Sequence, residues 1–213
     1  MRLLTAALLA TLAAPATAQE TAPQPPRDAG AVAQLMAAQA LLDLGLARKD
    51  PLAILAAARL AAGITATDSD RLPDPGGDAV PASYPGADFM FTAARALAKE
   101  DDLTTDLIAR TEAEVTRTPT LTVIRSSRGI AGGAAQVYTL PFFAAALAEV
   151  GLLGDGKSNL DLSVALPDGT PLCLDTGPSD RALCSFTPPE NATLSITVTN
   201  RSEAAASYSL LTN

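Results

Sequence analysis

The chain has 213 residues, with 15 basic against 23 acidic side chains, a formal net charge of −8 and no histidine. That acidity argues against nucleic acid and against an anionic membrane surface as partners, since both would repel it. The missing histidine removes the commonest general base, every Ser-His or Cys-His nucleophile and the usual zinc and haem sites.

Residues 1–18 have the form of a secretory signal: Arg2 at the charged end, an apolar run from Leu3 to Ala14, then Pro15 and the small-residue site Ala16-Thr17-Ala18. The run is shorter than the roughly 20 residues that span a bilayer, so cleavage near Ala18 is expected and no membrane span is expected in the mature chain. Losing Arg2 would leave 14 basic residues against 23 acidic, a charge of −9. Residues 19–28, "QETAPQPPRD", combine prolines with polar residues and read as a disordered or extended leader.

Residues 29–117 are rich in Ala and Leu at helical intervals and predict an α-helical domain of about four helices. In the first, Val32, Leu35, Met36, Leu42 and Leu46 fall roughly on one face, and the stop comes near Lys49-Asp50-Pro51, because Pro51 is tolerated only in a first turn. The second runs from Pro51 to Gly63, and the third from about Gly86 to Lys99. The fourth, from about Asp101 to Arg117, is expected to turn Leu103, Leu107, Ile108 and Val115 inward, with Asp101 and Asp102 at the positive end of its dipole. Residues Leu44 to Arg59 align with Arg95 to Arg110 at six identities in sixteen positions, a faint repeat of two helical hairpins that alanine-rich composition also produces by chance.

Between the hairpins, Thr65 to Asp88 has no period and reads as a long acidic loop. Asp68, Asp70, Asp74 and Asp78 lack the ordered spacing of a calcium loop. From about Thr120 the period changes to 2. "LTVIRS", "AQVYTL", "LDLSVAL", "TLSITVT" and "SYSLLT" are short strands parted by turn residues, and residues 118–213 predict an antiparallel β-sandwich. Leu160, Leu162 and Val164 point one way and Asp161 and Ser163 the other, towards solvent; Pro167 to Thr170, "PDGT", is a tight hairpin turn. The fold class is therefore α+β, with helices first and a sandwich second.

The strand Asn159-Leu160-Asp161-Leu162, the turn Asp168-Gly169 and the ending Tyr208-Ser209-Leu210 resemble the bacterial pre-peptidase C-terminal (PPC) domain over roughly residues 134–213. The resemblance implies a jelly-roll-like sandwich of the kind found beside secreted peptidases and in other exported proteins, where it serves as a processing, targeting or substrate-binding appendage and in some cases binds calcium. No peptidase sequence precedes the module here, so the resemblance does not imply peptidase activity.

Asp155, Asn159, Asp161, Asp175 and Asp180 are the candidate calcium ligands if their loops converge; the competing reading is a solvated acidic face, and the weak spacing favours it. Cys173 and Cys184 enclose ten residues whose Gly177-Pro178-Ser179-Asp180 core is strong turn chemistry, so a hairpin would bring them together. Their spacing is not the C-x-x-C of a redox pair, which leaves a structural disulfide in an oxidising compartment. Phe89, Phe91, Phe142 and Phe143 are expected in cores, with exposure as the alternative, and Asn191-Ala192-Thr193 fits a glycosylation acceptor that matters only in a eukaryotic route.

No G-x-S-x-G elbow, P-loop or dinucleotide fingerprint occurs. The expected function is that of a non-catalytic, exported bacterial envelope protein, periplasmic or secreted. The sandwich would be its adhesion or accessory module, with the helical domain docking a partner, an envelope protein or glycan. No cofactor is expected unless calcium binds. The alternatives are a hydrolase of envelope polymers acting through a carboxylate pair, and a chaperone or inhibitor of a secreted enzyme.

Overall fold

A computed structural model describes residues 30–82, 84–115 and 121–213. The expected signal, the leader and the boundary at 117/118 lie outside them.

The helices are α1 (Ala31–Arg48), α2 (Pro51–Ala62), α3 (Ala87–Ala98) and α4 (Asp102–Val115). Pro51 opens α2, where its missing N–H costs nothing, and Asp50 caps it by accepting from Leu52 N at 2.9 Å and Ala53 N at 3.1 Å. Asp101 does the same for α4, accepting from Leu103 N at 3.1 Å and Thr104 N at 3.2 Å. These two aspartates align with each other in the faint repeat, so the likeness of the two hairpins extends to how each turns.

Two apolar faces differ from expectation. Leu46 is exposed because the buried stripe of α1 ends at Gly45, where a Cβ would stand 2.5 Å from Ile54 Cγ1; α2 crosses at that glycine. In α4 the buried residues are Ile108, Thr111 and Val115, while Leu103 and Leu107 face outward. Leu107 and Ile108 differ by about 100° around the axis, and a helix at the rim of its layer buries only one of two such stripes.

The strands are β1 (Ile64–Asp68), β2 (Leu121–Ile130), β3 (Ala135–Phe142), β4 (Ala148–Gly154), β5 (Leu160–Ala165), β6 (Pro171–Asp175), β7 (Arg181–Phe186), β8 (Ala192–Asn200) and β9 (Ala206–Thr212). One sheet has the order β1-β2-β9-β4-β7 and the other β3-β8-β5-β6. Without β1, two four-stranded antiparallel sheets remain, connected as a jelly roll. The turn from Pro167 to Thr170 joins β5 to β6 as expected, with Gly169 at φ 88° and its N–H donating to Leu166 O at 2.9 Å.

The helices cover the outer face of the five-stranded sheet, giving three layers. Leu152, Tyr208 and Leu210 face the second sheet, whereas Val123, Leu153 and Leu211 join the helical cluster. A Cβ on Gly151 of β4 would lie 2.6 Å from Val32 Cγ1, so this glycine lets α1 settle on the sheet. Beside it, Glu149, 2% exposed, accepts a hydrogen bond at 3.1 Å from Val32 N in the first turn of α1. A carboxylate from the sheet thus caps a helix 117 residues away in sequence.

Two further expectations are corrected. The loop read from Thr65 begins with β1, which pairs in parallel with β2, and then seals the open side of the sandwich. Asp74 exchanges hydrogen bonds with Val137 of β3 at 2.8 and 2.9 Å, and Val80 N donates to Ser127 O of β2 at 3.3 Å. This loop is ordered because two sheets supply its backbone partners. The disulfide Cys173–Cys184 forms, with Cα atoms 5.7 Å apart, but β6 and β7 belong to different sheets. It therefore staples the two sheets at one side of the sandwich rather than joining the strands of one hairpin.

Candidate binding cleft

The candidate calcium residues do not form one cage. Asp161 is buried, against the expected solvent face, and is held by Arg201 Nε at 2.5 Å. The ion pair compensates the burial that alternation alone did not foresee. Asp175 accepts from Gly177 N at 3.2 Å and Leu183 N at 3.1 Å, and Asp180 accepts from Gly156 N at 2.5 Å. Burial pushes the Asp155 carboxyl up, but hydrogen bonds from Ser158 Oγ and Lys157 N–H outweigh it and hold the group below the ordinary aspartate value. Nothing among the described residues bonds the buried Oδ1 of Asn159. Among the described residues no three His, Cys, Asp or Glu side chains converge as metal ligands.

A different place gathers exposed apolar and charged groups. A cleft of about 580 Å³ lies on the helical face of β1 and β2, under α3 and the end of α4. Leu35, Ile64, Ala66, Phe91 and Val115 make its apolar lining, with Tyr84, Phe89, Glu112 and Arg125 around them. Phe91 is 2% exposed and Phe89 is 52% exposed, so one of the α3 aromatics serves the core and the other faces solvent. Phe142 is buried against Phe186, while Phe143 is exposed.

The charges in and beside the cleft are committed except for Asp88, which lines it with no ion pair among the described residues. Arg125 grips Asp68 with two bonds, Nε to Oδ1 at 2.7 Å and Nη2 to Oδ2 at 3.0 Å, and its guanidinium carbon stands 5.6 Å from the centre of the Tyr84 ring. The hydrogen bond from Arg125 holds the Asp68 carboxyl below its ordinary value, while burial raises the Tyr84 phenol. Glu112 is paired with Arg95. Among the described residues the carboxylates with a displaced pKa, Asp68, Asp101, Asp155 and Asp168, all have it displaced downward, the opposite of a general acid kept protonated near neutral pH.

Sequence reading missed Arg125 and Tyr84, and it met Asp68 only as a weak calcium hint. The available signal was the alternation Ile64-Thr65-Ala66-Thr67, β-branched at three of four positions and masked by the proline-rich run that follows.

No family model matches this chain, and no curated protein does. Among solved structures, the C-terminal sandwich is similar to the pre-peptidase C-terminal domain of collagenase from Bacillus anthracis, at 14% identity and a TM-score of 0.35 over 42% of this chain and 87% of that one. The resemblance first read from Asn159 to Leu162, Asp168-Gly169 and Tyr208 to Leu210 is to this same domain. The chain is also similar to PliG of Aeromonas hydrophila, a periplasmic inhibitor of g-type lysozyme, at 19% identity and a TM-score of 0.34 over 43% of this chain and 84% of that one. A third similar structure is the C-terminal CBM6 of LamC from Zobellia galactanivorans, at 17% identity and a TM-score of 0.26 over 39% of this chain and 76% of that one. Among the described residues no helix is long and apolar enough to cross a membrane.

Proposed function

We propose that this chain is an exported, non-catalytic envelope protein of bacterial type, periplasmic or secreted, and that its helix-covered sandwich is a binding or accessory module. The observation that carries the reading is the cleft between β1–β2 and the helices, which combines an apolar lining and a half-exposed Phe89 with Glu112 locked by Arg95 and, beside it, Asp68 locked by Arg125. Such a site has surface to bury, and with Glu112 held by Arg95 its lining leaves one carboxylate, Asp88, without an ion pair among the described residues, where a carboxylate-pair hydrolysis needs two. The disulfide supports export, because it persists in an oxidising compartment.

The test is to present the mature chain with native envelope extract and, separately, with cell-wall and peptide substrates. Stoichiometric retention of an envelope protein or glycan without turnover is the expected result. Turnover that disappears in Glu112→Gln or Asp68→Asn overturns the reading in favour of the hydrolase.

A further inference from the structure

The four strand edges of the two sheets are not alike. In the second sheet, the β3 edge carries Pro141 and is bridged by Asp74 at Val137, and the β6 edge begins with Pro171 and is tied by the disulfide. In the first sheet, the outward N–H of Leu183 on β7 is taken by the Asp175 carboxylate at 3.1 Å. Prolines, bridges and caps of this kind are how sheets keep their edges from pairing.

Among the described residues β1 has none of these devices. The bonds from Leu121 N to Gly63 O at 2.7 Å and from Ser69 N to Arg125 O at 2.8 Å bracket its parallel register with β2. In that register Thr65 and Thr67 direct their main-chain groups to β2, and Ile64, Ala66 and Asp68 direct theirs to the open edge. Among the described residues nothing bonds those three N–H and C=O pairs. The side chains of Ile64 and Ala66 also line the cleft, so a strand laid beside β1 would send every second side chain into it, next to Leu35 and Phe89.

We propose that the free edge of β1 and its cleft accept an extended segment of a partner protein in which apolar residues alternate with lysine or arginine. The inference rests on the binding-module reading and names the class of its partner. Main-chain bonds to Ile64, Ala66 and Asp68 supply the pairing, and the cleft selects apolar side chains at alternate positions. The intervening side chains lie on the wet face marked by exposed Thr65 and Thr67. Their sign follows from the surroundings: Asp70, two residues past the end of β1, is exposed with no ion pair among the described residues, and the chain carries a net charge of −8.

The experiment uses the mature chain and a synthetic peptide of alternating valine and lysine, with hydrogen exchange of assigned amides as the readout. Binding at up to millimolar peptide, with exchange at Ile64, Ala66 and Asp68 slowed about tenfold, is the expected result. Methylating alternate backbone nitrogens of the peptide keeps its charge and side chains but removes its donors, and weakens binding about tenfold. Ala66→Pro removes an outward N–H and no bond to β2, and does the same. No binding, binding that leaves those amides unprotected, or equal binding of the methylated peptide overturns the proposal. Equal binding of a peptide with glutamate in place of lysine overturns the basic partner. Protection that rises with protein concentration alone makes a second copy the occupant and overturns it too. If Ala66→Pro retains an envelope partner as well as the unaltered chain does, the edge inference fails while the binding-module reading stands. Carboxylate-dependent turnover beside intact amide protection sinks that reading and leaves the edge.

Discussion

At the scale of single residues, several acidic side chains act as backbone acceptors or ion-pair partners, and each use has a consequence that can be measured. Glu149 shows this at a buried position. Glu149→Ala would leave the N–H of fully buried Val32 without its acceptor and α1 without its cap, at a cost of about 1 to 3 kcal/mol. Glu149→Gln keeps an oxygen in place and should recover most of the loss; equal urea midpoints for the Ala variant and the parent would refute the cap. For the candidate calcium residues, the carboxylates already serve main-chain donors or Arg201, and a cation would have to displace those bonds. Millimolar calcium added to chelator-treated protein is therefore expected to leave the melting temperature unchanged, since a ligand of the native state would raise it. Asp68 gives the pH dependence. Its pKa is lowered in the fold, chiefly by the Arg125 hydrogen bond, so the pair contributes above the unfolded aspartate value and fades only as pH falls through the lower folded one. NMR titration of the Asp68 carboxyl should give a midpoint below 3.8; a midpoint above it would remove the Arg125 grip from the account.

At the scale of elements, the disulfide is the clearest case. Because Cys173 and Cys184 sit on strands of different sheets, the bridge closes one side of the sandwich that the loop through Asp74 closes on the other. Replacing both cysteines with serine should cost about 2 to 3 kcal/mol. Unfolding midpoints that coincide with and without reductant would show that the bridge contributes nothing. The pairing partner was legible in the sequence, and the sheet assignment was not, because turn residues such as Gly177-Pro178 mark a reversal without saying whether the chain returns to the same layer. The same limit hid β4. Its residues from Ala148 to Leu153 are all buried, since helices cover one face of the sheet and the second sheet covers the other. A strand covered on both faces shows no period of 2. By contrast, β5 and β8 alternated cleanly and were read correctly, with Asp161 as the exception that Arg201 compensates. Asp101 was read at the positive end of α4 but not as its cap, and Asp50 only as part of the stop of α1, although both caps bond neighbours in sequence. The cleft was not legible: Asp68, Tyr84 and Arg125 meet only when β1 pairs with β2 across more than fifty residues.

At the scale of the whole molecule, the sequence predicts two domains, and the structure adds a hydrophobic cluster that both parts share. Val123, Leu153 and Leu211 are essentially inaccessible, and what covers them is helical: Val32, Leu35, Ile54, Phe91 and their neighbours. Uncovering those three sheet side chains would lose about 1.5 to 3 kcal/mol each, about 5 to 9 kcal/mol together. That approaches the whole net stability of an ordinary domain. Glu149 and Gly151 add a buried hydrogen bond and a close helix contact at the same interface. The helices and the sandwich should therefore melt together: far-ultraviolet circular dichroism, which follows α1 to α4, and the near-ultraviolet signal of buried Tyr138 and Tyr208 should give one midpoint. A fragment of residues 121–213, which would expose that outer face, should fail to unfold cooperatively. Two separated transitions, or a stable soluble fragment, would mean that the shared cluster is weaker than its burial implies and that the helices are an independent domain resting on the sheet. A single transition would instead tie the cleft to the stability of the whole chain, because its walls come from α1, α3 and α4 and its floor from β1 and β2. Substitutions in the cleft would then have to be read for folding before they are read for binding, which is why amide protection at β1, rather than affinity alone, is the measurement that bears on the partner.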